Sequence, residues 1–124
     1  MTIKSISAVT LLTRDMSRAV AFYESLGFRI HDGGRGASFT SFHAGAGYLN
    51  LQTDKSAGAA GKWGRVILYV DNVDAMYARC VSASLSPHFE PRDADWGERY
   101  FHITDPDGHE LSFAKPLNNQ GINE

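Results

Sequence analysis

The side chains with most chemical reach are His102, Glu110, Arg65 and the rings of Tyr48, Tyr69, Trp96 and Tyr100. His102 is the candidate for general acid/base work, because an unperturbed imidazole titrates near neutrality. No nucleophile or second acid is visibly paired with it, so the catalytic assignment stays open and a satisfied polar histidine is the plainer expectation. Two or three scattered donors, His102 and Glu110 with His43, can also be drawn into a metal site, but without a recognisable spacing. Arg65 offers a planar fork for carboxylate or phosphate, or else it is a solvated arginine at a strand start beside Gly64. Tyr69, Tyr100 and Trp96 can stack on a planar ligand; the alternative for Trp96 is packing over a sheet edge from its loop. His31, His88 and His109 fall in turns or loops and are read as solvated surface histidines. Cys80 sits on the apolar face of a helical pattern and reads as a buried structural thiol.

The chain that must position these groups has 124 residues, 43% hydrophobic and 21% charged, enough for a single domain with a core and no staple. Its 12 Lys+Arg against 14 Asp+Glu leave a net charge of −2, which argues against non-specific nucleic-acid binding. The one cysteine excludes an intrachain disulfide and a multi-Cys zinc site. No apolar run approaches the roughly 18–20 residues of a membrane span and no signal peptide opens the chain, so a cytoplasmic location is expected.

A faint internal repeat organises the sequence. The segment from Ala8 to Tyr23 lays over Arg65 to Cys80, with Val9 on Val66, Leu11 on Leu68, Asp15 on Asn72, Met16 on Val73 and Ala19 on Met76. Each copy is a short apolar run, then an N-capping Asp or Asn, then a helix (Met16, Ala19, Val20, Tyr23, Leu26; Val73, Met76, Tyr77, Cys80). After the first helix, short strands are predicted over 28–30, 37–43 and 48–52, separated by glycine-rich turns. After the second they are predicted over 85–90, 99–104 and 110–114, with the loop 91–97 and the Asp105-Pro-Asp-Gly108 turn between them. Each half is therefore β-α-β-β-β. The fold expected is α+β: two βαβββ modules in tandem, about 3–53 and 64–117, followed by a polar tail at 118–124. Each module is a curved, mostly antiparallel sheet with a helix on one face and a cleft on the other.

The period-2 alternation of strands sorts the faces. The helix-covered face takes Val9, Leu11, Leu49, Leu51, Val66, Leu68, Val70, Phe101, Ile103, Leu111 and Phe113. The other mixes rings and polar groups. If the two sheets curve toward one another, that second face lines a cleft of the kind small molecules occupy; otherwise these are solvated outer faces. The candidate ligand-binding set on it is Tyr48, Asn50, Arg65, Tyr69, Trp96, Tyr100, His102 and Ser112.

The stretch Thr10-Leu-Leu-Thr-Arg-Asp-Met-Ser-Arg-Ala-Val-Ala-Phe-Tyr-Glu-Ser-Leu-Gly-Phe28 resembles the opening of the vicinal oxygen chelate superfamily. Trp96-Gly-Glu-Arg-Tyr-Phe101 with Asp105-Pro-Asp-Gly-His-Glu-Leu-Ser-Phe113 is similar to its closing hairpin. That group embraces glyoxalase I, bleomycin-resistance proteins and extradiol dioxygenases. In its metal-dependent members the resemblance implies a divalent ion held by His or Glu at four strand positions, which fall here on Ala8, Asn50, Arg65 and Ser112. None of these is a good ligand, and a guanidinium repels a cation at contact distance. The expectation is a small-molecule-binding protein of the bleomycin-resistance type with no metal cofactor. The alternative is an enzyme of the lyase or dioxygenase kind, either with relocated ligands for a divalent ion or metal-free. The resemblance also implies a homodimer.

Overall fold

Asp15 and Asn72 fix where both helices begin. In the computed structural model, which describes residues 1–117, Asp15 Oδ1 accepts from Arg18 N at 3.1 Å and Asn72 Oδ1 from Ala75 N at 3.0 Å. Each cap satisfies one of the donors a first helical turn leaves free. The helices they start are α1 (Met16–Ser25) and α2 (Val73–Ser82). The predicted tail at 118–124 lies outside the described residues.

The chain divides into two compact units, Met1–Ala60 and a second that begins at Gly61. In the first, β1 (Ala8–Thr13), β2 (Ile30–Asp32), β3 (Phe39–Ala44) and β4 (Gly47–Thr53) form a four-stranded sheet in the order β1-β4-β3-β2. In the second, β5 (Arg65–Tyr69), β6 (Arg92–Asp93), β7 (Glu98–Thr104) and β8 (Glu110–Pro116) repeat that order as β5-β8-β7-β6. In both, the first strand pairs parallel with the last and the other pairings are antiparallel. The βαβββ repeat is thus present twice, as an α+β fold.

Burial follows the predicted alternation. Leu11, Leu49 and Leu51 are buried with Met16, Ala19, Val20 and Tyr23 of α1 in the first unit. Phe101, Ile103, Leu111 and Phe113 are buried with Val73 and Cys80 of α2 in the second. At about 1.5–3 kcal/mol for each fully buried large side chain, these faces supply the main favourable term in each unit. Cys80 is fully buried and desolvation pushes its thiol up to about 11, as a structural thiol requires.

Two predicted strands are displaced. β2 starts at Ile30 instead of Phe28, because the Phe28 N–H is used to close α1: it donates to Tyr23 O at 3.1 Å, past Gly27 at φ 98°. The strand predicted over 85–90 is absent. Pro87 and Pro91 have no N–H to give a ladder, so this stretch runs as a loop and a two-residue β6 forms at Arg92–Asp93, in the segment predicted as loop. That loop is tied to β7 by His88 N, which donates to His102 O at 2.9 Å.

Candidate functional site

The site is built on β7 and β8 of the second unit. Their register sets His102 opposite Ser112, Tyr100 opposite Ala114 and Thr104 opposite Glu110. The predicted hairpin alignment holds, so Tyr100 and His102 share the face that α2 does not cover. Glu110 joins them diagonally, one pair further along.

A row of rings covers this face. Trp96 lies 5.2 Å from Tyr100 and Tyr100 lies 5.2 Å from His102, centroid to centroid. Phe89, from the loop that replaces the predicted strand, packs on both Tyr100 (5.6 Å) and His102 (5.3 Å). The Arg92 guanidinium sits 3.7 Å over the Phe89 ring and 5.7 Å from that of Tyr100, within cation–π range. Trp96 stays 64% exposed, so its face is free to take a ligand while Glu98 Oε1 accepts from its Nε1 at 3.1 Å. Glu98 also accepts from the Tyr69 hydroxyl, which raises the Tyr69 pKa; Tyr69 itself is exposed.

Charge gathers at the other end of the row. Arg65 Nε donates to Glu110 Oε2, and this ion pair is the main reason the Glu110 carboxyl lies below the ordinary range. His102 Nδ1 lies 3.5 Å from the same oxygen. Burial lowers the His102 pKa, Arg65 lowers it further, and the Glu110 charge partly opposes both. The imidazole is therefore biased to its neutral form. A hollow of about 590 Å³ opens beside this end, lined by Gly64, Arg65, Thr104 and Glu110 among others. Ser112, opposite His102, is buried, at 4% exposure, in β8, one of the sheet's two inner strands.

The first unit holds the remaining candidates. Tyr48 is partly exposed, 4.7 Å from the His31 ring and 6.0 Å from that of His43, and His31 and His43 are 4.9 Å apart. Asn50 Nδ2 donates to Thr10 Oγ1 at 3.2 Å, while its buried Oδ1 finds no partner. Tyr48, Asn50 and His31 line a hollow of about 440 Å³ with Asp32, Phe39 and Ser41. His43 is thus packed in an aromatic cluster of its own unit.

One loop histidine departs from the solvated reading, and a second is exposed but engaged. His109 is buried, 7% exposed, and its Nδ1 accepts from Trp63 Nε1 at 3.0 Å. Its backbone N–H donates to Asp105 Oδ1, because the Asp105-Pro-Asp-Gly108 turn folds its own first side chain inward. His88 is exposed as expected, but it stands against His102 (6.2 Å between rings) with Nε2 at 2.6 Å from Thr104 Oγ1. Phe89, Arg92 and Glu98 also belong to the site. An aromatic-rich segment between two prolines was the signal for Phe89; for the other two only the fold supplies one.

The four positions that the family resemblance implies for a divalent ion carry side chains that do not fit one. In the first unit Ala8 has no donor atom, and Asn50, whose Nδ2 is bonded to Thr10, offers only a neutral amide oxygen. In the second Arg65 is a cation paired with Glu110, and Ser112 offers only a buried hydroxyl.

Two βαβββ units, these strand orders and this closing hairpin define a class, and a family model confirms it. The model of the Glyoxalase/Bleomycin resistance protein/Dioxygenase superfamily matches residues 5–113, and the chain belongs to that superfamily. Solved structures with the same fold include a bleomycin resistance determinant encoded on the transposon Tn5, at 24% identity and a TM-score of 0.77, covering 93% of this chain and 100% of that one. A bleomycin-binding protein complexed with bleomycin is similar at 24% identity and a TM-score of 0.73, with the same coverage. A lactoylglutathione lyase from Agrobacterium tumefaciens matches at 21% identity and a TM-score of 0.72, covering 92% of this chain and 95% of that one. Comparison with curated protein sequences gives no match. Among the described residues no helix is long and apolar enough to cross a membrane.

Proposed function

We propose that this protein binds a small organic ligand carrying a planar or aromatic group and an anionic group, and that binding needs no ion at the four family positions. The observation that carries the reading is the ring row Trp96–Tyr100–His102 with Phe89, set between Arg92 and Arg65 on a sheet face that has no helix over it. The rings offer flat apolar area at low entropic cost, and the two guanidinium groups supply oriented positive charge. A relative of this fold complexed with bleomycin supports ligand binding as a use of the scaffold. Tyr69 and Trp96, both held by Glu98, flank the shelf, and Tyr48 and Asn50 offer a second, smaller surface in the other unit.

The test is a titration followed by Trp96 fluorescence, with Trp96→Phe as the blank for Trp63, in buffer containing EDTA. Bleomycin and a panel of aromatic carboxylates are the probes. Saturable quenching is expected for at least one probe, with Arg65→Ala weakening an anionic ligand about tenfold while the melting curve is unchanged. No saturable binding by any probe, or binding indifferent to both Arg65→Ala and Trp96→Phe, overturns the reading. The chain is further proposed to act as a homodimer, supported by the exposed apolar side chains Ile67 and Tyr69 on the uncovered face of β5. Light scattering at micromolar concentration checks it, and a monomer mass refutes it.

A further inference from the structure

Among the described residues, His88, His102 and Glu110 each turn a ligand atom toward the others, all within 4.8 Å. We propose that these three side chains hold one divalent transition-metal ion, at a place apart from the four positions the family uses. Two imidazoles and a carboxylate are donors that suit zinc, nickel, cobalt and iron. One of the three ligand pairs already has the required spacing. At metal–ligand distances of about 2.0–2.2 Å, two ligands at a tetrahedral angle lie roughly 3.4 Å apart. His102 Nδ1 and Glu110 Oε2 are 3.5 Å apart.

Their supports are in place too. The His102 and Glu110 side chains are only 16% and 28% exposed, so the sheet restrains them. His88 is the exposed third arm, its main chain pinned to β7 by the bond from its N–H to His102 O. Its Nε2 meets Thr104 Oγ1 at 2.6 Å, a contact that orients the ring as outer-shell partners of metal-bound histidines do. Glu110 lines the hollow beside Arg65 and Thr104, the space a fourth, exchangeable ligand would take.

The local charge sets the affinity and the fourth ligand. Glu110 contributes one negative charge, while Arg65, bonded to it, and Arg92, near His102, are positive. The ion must displace Arg65 from Oε2 or share the carboxylate with it. Net positive charge then favours an anionic oxygen donor in the open position, held jointly by the ion and the freed guanidinium.

Metal alone tests this, independently of the organic-ligand titration, which is run in EDTA. Chelator-stripped protein is titrated with zinc against a chromophoric competitor, and with cobalt(II) followed by visible absorption. One equivalent is expected to bind at micromolar or tighter affinity. His88→Ala, His102→Ala and Glu110→Gln should each weaken it about tenfold or more, a loss no smaller than removal of outer-shell partners brings. His31→Ala and His43→Ala should leave it unchanged, and Arg65→Ala should strengthen it several-fold. His88 is exposed, so His88→Ala keeps the test valid should the other two variants fold poorly. The proposal is overturned by no stoichiometric uptake at 100-fold chelator-free excess, by uptake that survives His88→Ala, or by uptake lost with His31→Ala or His43→Ala.

Discussion

Replacing Tyr100 by alanine removes the ring at the centre of the shelf. Tyr100 touches Trp96, His102 and Phe89 at centroid distances of 5.2, 5.2 and 5.6 Å, and the Arg92 cation lies 5.7 Å from it. Aromatic pairs contribute about 0.5–1.5 kcal/mol each beyond buried area, and an exposed cation–π contact about 0.5–1. The ring is only half-buried and its contacts share partners, so they do not simply add. Tyr100→Ala is accordingly expected to cost about 2–3 kcal/mol of stability, read as a lowered urea midpoint at unchanged slope. Tyr100→Phe keeps the ring and should stay within about 0.5 kcal/mol of wild type, since the contacts to Trp96, His102, Phe89 and Arg92 are all made by the ring. Ligand affinity in the fluorescence titration should fall about tenfold for Tyr100→Ala and hardly at all for Tyr100→Phe. A loss below about 0.5 kcal/mol in the alanine variant would show that the rings do not act as a packed unit. An equal loss in both variants would assign the effect to the hydroxyl, and the stacking argument would fail.

Three further outcomes are expected. Asn72→Ala, which removes the α2 cap bond to Ala75 N, should cost about 1 kcal/mol, and Asn72→Asp should restore most of it in urea unfolding. Gly33→Ala should be far more costly than Gly36→Ala: Gly33 has φ 85° and an added Cβ would sit 2.2 Å from Phe39 O, whereas nothing lies within 4 Å at Gly36. Thermal melts should place the first loss at about 2 kcal/mol or more and the second near zero. The Cys80 thiol should resist maleimide at pH 8 until denaturant opens the second unit. Because its folded pKa is raised, to about 11 from 9.0, the stability it contributes is present below pH 9 and declines as pH rises from 9 toward 11. Wild type should therefore lose more melting temperature over that interval than Cys80→Ala, and parallel curves for the two would refute the burial argument.

Much of the fold was legible because it rests on short-range patterns. Asp15 and Asn72 announce helices whatever surrounds them, since a cap bond spans three residues. Alternation of apolar side chains assigned the covered faces, since a strand turns successive residues to opposite sides. The errors arose where a competing local bond intervened. Phe28 is apolar and follows a glycine, yet its N–H closes α1; residues 85–90 look extended, yet Pro87 within them and Pro91 after them have no N–H to give a ladder. His109 looks like a turn residue and is buried, because Asp105 binds its backbone and Trp63, 46 positions earlier, binds its ring.

The sequence alone determined the doubled βαβββ framework and the polar and aromatic character of the uncovered face. Residue type and spacing decide such matters locally. Only the tertiary structure decided that Phe89 completes the ring shelf, that Arg65 is bonded to Glu110 45 positions away, and that His88 faces His102. A loop's course depends on what its backbone finds to bond with elsewhere in the unit, and no periodicity in the loop itself encodes that partner.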